Sequence, residues 1–211
     1  MRRLPVYLLL DTSGSMRGEP IESVKVGLQM LISALRRDPQ ALESVHVSFI
    51  SFDRDVKILT PLTPLEDLRV PDLETPDAGP THLGLALEEL CRQVDREVIR
   101  NTEHSKGDWK PLLFVMTDGS PSDKQKYKEM IPEVRGRNFA MIVACAAGPK
   151  ARKEDLVPLA DHVLSLETTD GSTFAAFFQF VSDTIVAGGT SMGVTETPPL
   201  PPPPPEIEVV I

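Results

Sequence analysis

The sequence predicts an α/β fold, in which a doubly wound and mostly parallel sheet is covered by helices on both faces and has one antiparallel edge strand. Short apolar runs, such as residues 6–10 and 112–116, alternate with segments whose apolar residues recur at helical spacing. Runs that are apolar on both faces are typical of strands buried in parallel sheets, because helices cover both sides of such sheets. Alternation of the two patterns along the chain predicts consecutive βαβ units.

The first half of the chain predicts three strands and one helix before a long loop. Residues 6–10 form a strand, and a helix follows that has Pro20 in its first turn and ends before Pro39. Residues 45–52 form a second strand, and residues 56–59 form the antiparallel edge strand. Residues 60–80 show no periodicity, and a loop of this length in a compact domain is usually functional or disordered.

The second half of the chain continues the alternation and ends in a tail. The predicted helices cover residues 83–100, 123–135, 153–159 and 172–186, and the predicted strands cover residues 112–116, 139–146 and 163–166. Gly188 and Gly189 predict the end of a domain spanning residues 1–187, followed by a proline-rich tail at residues 188–211. The alternating apolar residues 207–211 could add to a sheet edge, either on their own domain or on a partner or neighbouring copy.

Composition and charge exclude several classes of function. The formal net charge of −9 argues against binding to nucleic acid or to an anionic membrane. No window approaches the roughly 18 consecutive apolar residues of a membrane span, and Asp11 interrupts the only stretch that resembles a signal peptide. Cys91 and Cys145 fall in separate apolar elements, which predicts two buried thiols in a reducing compartment. We therefore expect a cytoplasmic protein.

Oxygen-bearing side chains follow the first predicted strand. Asp11, Ser13 and Ser15 stand at the carboxyl end of a buried strand, where open α/β sheets bind their ligands. Carboxylate and hydroxyl oxygens suit a small hard cation such as Mg2+. Taken alone, these residues are equally compatible with ordinary turns and helix caps. Two later segments, which end in Thr81 and in Asp118, add donors of the same kind and favour a metal site.

This three-part pattern resembles the von Willebrand factor type A domain. Asp-x-Ser-x-Ser at residues 11–15, Thr81 before a helix and Thr-Asp-Gly at residues 117–119 match its metal-ion-dependent adhesion site in order. The resemblance covers residues 4–187 and implies a Rossmann-like von Willebrand factor type A fold. It also implies that Mg2+, or else Mn2+ or Ca2+, is held by five ligands, which are Asp11, Ser13, Ser15, Thr81 and Asp118.

A narrower resemblance is carried by other segments. Residues 2–8, 107–111 and 201–211 look like those of TerY-type proteins of bacterial tellurium-resistance operons. This likeness implies a role in tellurium resistance or stress response beside operon-encoded kinase-like and phosphatase-like proteins. Nothing in the composition indicates tellurium chemistry in this chain.

These resemblances together predict an intracellular adaptor that captures an acidic side chain of a partner protein at the metal. The partner would provide an Asp or a Glu, and self-association through the tail is a further expectation. Neighbours of the ligands would form the partner-binding rim, namely Gly14, Met16, His82 and Gly119. We expect structural roles for Asp53, in a hairpin turn, and for Trp109, at the entrance of a strand.

Two other classes of function compete with the adaptor. A Mg2+-dependent phosphatase-like hydrolase could use Asp11 as its nucleophile, but it would need a second aspartate two residues on, where this chain has Ser13. Ser15 lacks the Gly-x-Ser-x-Gly context of a hydrolase nucleophile. We therefore expect no enzymatic activity, and a metal-free scaffold is the third class.

Overall fold

The computed structural model describes residues 2–191 and 199–211 and forms one seven-stranded sheet. The strands are β1 Leu4–Asp11, β2 Val45–Phe52, β3 Val56–Pro64, β4 Leu112–Thr117, β5 Met141–Ala147, β6 His162–Leu166 and β7 Ile207–Val209. The helices are α1 Glu19–Leu35, α2 Pro39–Ser44, α3 Leu83–Glu97, α4 Lys124–Arg135, α5 Lys153–Leu156 and α6 Gly171–Ser191.

The strand order β3-β2-β1-β4-β5-β6-β7 confirms the predicted fold class. Strands β2, β1, β4, β5 and β6 are parallel, while β3 pairs antiparallel with β2 and β7 pairs antiparallel with β6. The chain runs outward from β1 in one direction to β2 and in the other to β4. The carboxyl end of β1 therefore lies at the point where the strand order reverses, which is where open α/β sheets bind ligands.

Two apolar layers cover the sheet, as the residues of β1 demonstrate. Leu8 and Leu10 face a layer that includes the apolar sides of α1 and α6, whereas Tyr7 and Leu9 face a layer that includes α3 and α4. Every residue of β1 is buried. Burial on both faces explains why this strand reads as a continuous apolar run.

Several boundaries differ from the predicted ones. Strand β3 extends to Pro64 rather than ending at residue 59, because an edge strand tolerates prolines that lack a donor. Pro39 opens the short helix α2, which the sequence did not predict, and the Asp38 carboxylate caps it by accepting a hydrogen bond from the Ala41 amide at 2.7 Å. Helix α3 ends at Glu97, and α6 continues to Ser191 through Gly188 and Gly189.

The C-terminal residues dock on their own domain. The β7 strand pairs with β6 through Ile207↔Leu166 and Val209↔Leu164, and the Ile207 side chain is buried against the core. The amide of Val210 donates to the carbonyl of Val163 at 2.8 Å. The tail thus adds a second antiparallel strand to the sheet, where the sequence predicted one. Residues 192–206 connect it to α6, and residues 192–198 of this segment lie outside the described residues.

Two smaller expectations are also met. Cys91 and Cys145 are both buried free thiols. Trp109 packs partly buried against the core beside the start of β4, and the Arg2 guanidinium lies 3.7 Å from its ring centroid. In the described part of the chain, no helix combines the length and the apolar character needed to cross a bilayer.

Candidate metal centre

The carboxyl ends of β1 and β4 bring the two predicted carboxylates together. Asp11 is the last residue of β1, and Asp118 directly follows β4. These strands are parallel neighbours, with Leu10 paired to Met116, so their carboxyl ends lie side by side at the same end of the sheet. Ser13 and Ser15 lie on the loop that follows β1, which contains a 3-10 turn at Gly14–Met16.

A chain of hydrogen bonds connects four of the five predicted ligands. The Ser13 amide donates to Oδ1 of Asp11 at 2.8 Å, and the hydroxyls of Ser13 and Ser15 are 3.2 Å apart. The Ser15 hydroxyl donates to Oδ1 of Asp118 at 2.8 Å. Side chains that are 103 residues apart in sequence are therefore within one hydrogen bond of each other.

Thr81, the fifth predicted ligand, lies beside the loop that carries Asp118. A Cβ atom added to Gly119 would be 3.3 Å from the Thr81 hydroxyl oxygen. Two hydrogen bonds hold Thr81 in this position: its amide donates to the Ser122 hydroxyl at 3.1 Å, and the Ser122 amide donates to its carbonyl at 2.8 Å. The structure thus brings all five residues to one edge of the sheet.

Asp11 is a fully buried carboxylate whose hydrogen-bonding partners carry no charge. Its Oδ1 accepts from the Ser13 amide, and its Oδ2 accepts from the Thr117 hydroxyl at 2.5 Å. Burial raises the pKa of Asp11 to about 6, although the hydrogen bonds from Ser13 and Thr117 act in the opposite direction. Burial likewise raises the pKa of Asp118 against the effect of the Ser15 hydroxyl.

This donor set fits a small hard cation. A buried carboxylate is destabilised unless a positive charge compensates it, and a divalent ion beside Asp11 and Asp118 would do so. Mg2+ prefers six oxygen ligands and retains water readily, so two carboxylates and three hydroxyls leave one position open to water. Within residues 2–191 and 199–211, no three His, Cys, Asp or Glu side chains are grouped to hold a metal ion, so the hydroxyls are an essential part of this set.

Two threonines support the site without having been singled out as site residues in the sequence. The Thr117 hydroxyl orients Asp11 by donating to its carboxylate. Its position in the Thr-Asp-Gly segment, at the end of a strand parallel to β1, is the sequence feature that could have identified it. The Thr12 hydroxyl donates to Oδ2 of Asp53 at 3.1 Å, which links the β1 loop to the turn after β2. Asp53 also accepts from the Asp55 amide at 2.9 Å, as expected of a hairpin-turn aspartate.

The four residues predicted to form the partner-binding rim occupy different environments. Gly14 packs against the loop before α3, since an added Cβ would lie 2.8 Å from the Cα atom of Ala78. Met16 is completely buried in the apolar layer of α1 and α6 and offers no surface to a partner in this conformation. His82 and Gly119 are half-buried, and Nδ1 of His82 is 2.9 Å from the carbonyl oxygen of Arg54.

Comparison with known proteins identifies the family pattern. The sequence signature of the von Willebrand factor type A domain matches residues 6–180. No curated protein sequence matches the chain significantly.

Solved structures give a consistent picture of the fold. The zinc-occupied structure of proximal thread matrix protein 1 from the mussel byssus has 16% identity and a TM-score of 0.63, covering 86% of this chain and 48% of that one. A von Willebrand factor type A protein from Catenulispora acidiphila has 16% identity and a TM-score of 0.66, covering 88% and 43%. Manganese-loaded TRAP from Plasmodium vivax has 21% identity and a TM-score of 0.51, covering 74% and 62%.

These likenesses concern the fold, because the identities are low. The chain spans less than half the length of the first two of these proteins. The zinc-occupied site of the mussel protein is a metal-ion-dependent adhesion site.

Proposed function

This chain belongs to the von Willebrand factor type A family, and from that premise we propose that it is a metal-dependent protein-binding adaptor. Its binding domain comprises residues 1–187, and the tail of residues 188–211 begins within the last turn of α6 and pairs with β6 through residues 207–209. A divalent cation, Mg2+ in the first instance, is held by Asp11, Ser13, Ser15, Thr81 and Asp118. The partner provides an aspartate or a glutamate.

The observation that carries this proposal is the buried carboxylate of Asp11 within the hydroxyl network. Asp11 has no exposed surface and only uncharged hydrogen-bonding partners, which is an unfavourable arrangement for a structural carboxylate. When bound, the ion supplies a positive charge and a coordination position that exchanges water for a carboxylate oxygen. Ser15 is exposed and donates to Asp118, so the network reaches the surface where a partner would approach.

The residues give little support to catalysis. The position of the acid/base required by an aspartate nucleophile is occupied by Ser13, whose hydroxyl cannot act in that role. The Ser15 hydroxyl donates to Asp118, but no histidine is among its hydrogen-bonding partners in the described part of the chain. We therefore propose a binding protein without hydrolase activity. A generic phosphate ester that is hydrolysed by the wild type with Mg2+, but not by Asp11→Asn, would contradict this part of the proposal.

Within this function we propose a cytoplasmic role in bacterial tellurium resistance or stress response. The support is the likeness of residues 2–8, 107–111 and 201–211 to TerY-type proteins, whose operons also encode kinase-like and phosphatase-like partners. In a tellurite-sensitive bacterial strain that carries such an operon without its TerY-type gene, wild-type protein should restore growth on tellurite and Asp11→Asn should not. Equal growth with both proteins would argue against a metal-dependent role there.

A titration with Mn2+ tests the metal site directly. Enhancement of water-proton relaxation reports Mn2+ bound to the protein, and wild type should bind one ion while Asp11→Asn binds none. The matched control is Asp55→Asn, which removes the same charge from an exposed position in the β2–β3 turn and should bind like wild type. Equal Mn2+ binding by wild type and Asp11→Asn would overturn the assignment.

The same signal tests capture of a carboxylate. A short Gly/Ser peptide with one aspartate should displace water from bound Mn2+ and lower the relaxation enhancement. The same peptide with asparagine should leave the enhancement unchanged. Identical effects of the two peptides would contradict capture of an acidic side chain.

A further inference from the structure

A cavity of about 470 Å³ lies between α4 and α5, and no part of the metal centre lines it. Its apolar lining includes Pro121, Tyr127 and Ile131, and its cationic lining is Lys124, Lys128 and Arg152. The Tyr127 hydroxyl donates to the carbonyl oxygen of Asp155 at 2.8 Å, which ties α4 to α5 across the cavity. The cavity is therefore a cleft between two connected helices with a cationic rim.

One end of the cavity lies near the metal centre, because Pro121 lines it. Pro121 follows Asp118 by three residues, so their Cα atoms are at most about 11 Å apart. Lys150 lies in the loop that follows β5, and β5 is the parallel neighbour of β4, so this lysine lies at the same end of the sheet as Asp118. A bound chain could thus contact the metal centre and the cavity together.

The charge around the metal centre is strongly asymmetric. The protein carries a net charge of −9, yet Lys124, Lys128, Lys150 and Arg152 are all exposed on the α4–α5 side. In the described parts of the chain their charged groups have no carboxylate within 4 Å, whereas the neighbouring Lys126 and Lys153 pair with Glu88 and Glu208.

The opposite side of the metal centre is acidic. The loop of residues 65–80 contains five Asp or Glu residues and one arginine, and it packs against Gly14. Asp77 pairs with Arg17, while the other four carboxylates have no cation within 4 Å among the described residues. An anionic ligand that leaves the metal is therefore repelled on this side and attracted towards α4 and α5.

We propose that the partner's binding segment is an extended acidic peptide with a second carboxylate that occupies the α4–α5 cleft. This proposal rests on the proposed function, in which the first carboxylate of the peptide binds the metal. An extended chain advances about 3.3 Å per residue, so an acidic residue three or four positions from the first one reaches the cleft. There it pairs with Lys124 and Lys128, and its methylene groups pack on Tyr127.

The acidic residues of the cleft limit what it can accept. Glu154 and Asp155 also line it, which leaves three cations against two carboxylates. A single carboxylate matches this small surplus of positive charge better than a doubly charged phosphate group does. The cleft therefore favours an ordinary acidic peptide over a phosphorylated one.

The experiment compares peptides on Mn2+-loaded protein by the water-relaxation titration. A Gly/Ser peptide with aspartate and a glutamate four residues away should bind about fivefold more tightly than the peptide with aspartate alone, as expected for two exposed ion pairs. In Lys124→Gln/Lys128→Gln this gain should disappear, while affinity for Mn2+ and for the one-acid peptide is retained. The matched control is Lys106→Gln/Lys110→Gln, which makes the same charge change in the loop before β4, and there the gain should persist.

The possible outcomes separate this proposal from the adaptor function. Equal affinities of the two peptides for wild type, or a gain that survives in Lys124→Gln/Lys128→Gln, would overturn the second subsite and leave metal-dependent capture intact. A phosphoserine peptide that binds more tightly than the glutamate peptide would overturn the choice of an unphosphorylated partner. Failure of the one-acid peptide to affect bound Mn2+ would instead overturn the adaptor function itself.

Discussion

Replacement of Asp11 by asparagine should stabilise the metal-free protein, although it destroys the metal site. An increase in the pKa of Asp11 from 3.8 to about 6 corresponds to about 3 kcal/mol of unfavourable free energy for the buried carboxylate at pH 7.5, at 1.36 kcal/mol per pH unit. Asparagine removes this charge with almost no change of shape. Since a protein of this size gains about 2–4 °C per kcal/mol, we expect the melting temperature to rise by about 6–12 °C.

The surrounding hydrogen bonds can accommodate the amide. The Ser13 amide can continue to donate to the side-chain oxygen of residue 11. In the wild type the Thr117 hydroxyl donates to Asp11, and it also lies 3.2 Å from the carbonyl oxygen of Gly119. It can turn its hydrogen to that carbonyl and accept from the new amide group, so no buried polar atom loses its partner.

The pH dependence provides a check on the sign. Because the folded-state pKa of Asp11 lies above its unfolded value, the folded protein binds the proton more tightly, and the wild type gains stability relative to the variant as pH falls below 6. The difference in unfolding free energy between Asp11→Asn and wild type should therefore fall to about half at pH 5 and vanish near pH 3. The control variant Asp55→Asn, at an exposed position, should differ from wild type by less than about 0.5 kcal/mol.

Metal should cancel most of this difference in stability. At a hundredfold excess over its dissociation constant, Mn2+ should stabilise wild type by about 2.7 kcal/mol and leave Asp11→Asn unchanged. The assay is thermal denaturation followed by circular dichroism, in chelator and in millimolar Mn2+. A metal-free Asp11→Asn variant that melts below wild type at pH 7.5 would refute the argument from the buried charge. Equal stabilisation of both proteins by Mn2+ would refute the role of Asp11 in binding.

Three further predictions address the surroundings of the site and the tail. Gly14→Ala should destabilise the protein by about 1–3 kcal/mol in chemical denaturation and weaken Mn2+ binding, because the new methyl group would lie 2.8 Å from the Cα atom of Ala78. An unchanged unfolding free energy and unchanged Mn2+ affinity would show that the loop of Ala78 moves aside at no cost. Thr81→Ala should reduce the metal-induced rise in melting temperature without abolishing it, since water can replace a neutral hydroxyl, and complete loss of the rise would contradict this view. Deletion of residues 206–211 should lower the melting temperature by several degrees, because burial of Ile207 contributes about 1.5–3 kcal/mol. Size-exclusion chromatography of the same variant tests self-association through the tail. An unchanged melting temperature would mean that the tail does not stabilise the domain.

The sequence alone determined the fold class and the composition of the candidate site. Burial of β1 on both faces leaves a continuous apolar run, which is readable without any knowledge of its neighbours. Asp11, Ser13 and Ser15 follow this run within five residues, and Asp118 follows a second run of the same kind. These are local patterns, and the rule that parallel strands present their carboxyl ends at one edge was enough to bring them together.

The tertiary structure decided the features that depend on contacts between distant segments. The pairing of β1 with β4 places the Thr117 hydroxyl on Asp11, and their joint burial raises the pKa of that carboxyl. Tertiary contacts also decided the position of Met16. Its place in the motif suggested a residue of the partner-binding rim, but its side chain packs into the core. The β7 strand equally fitted docking on its own domain or on another one, and only the open edge of β6 decided between them. Burial, register and the electric field at a side chain are properties of what lies beside it in space, and a pattern along the chain does not contain them.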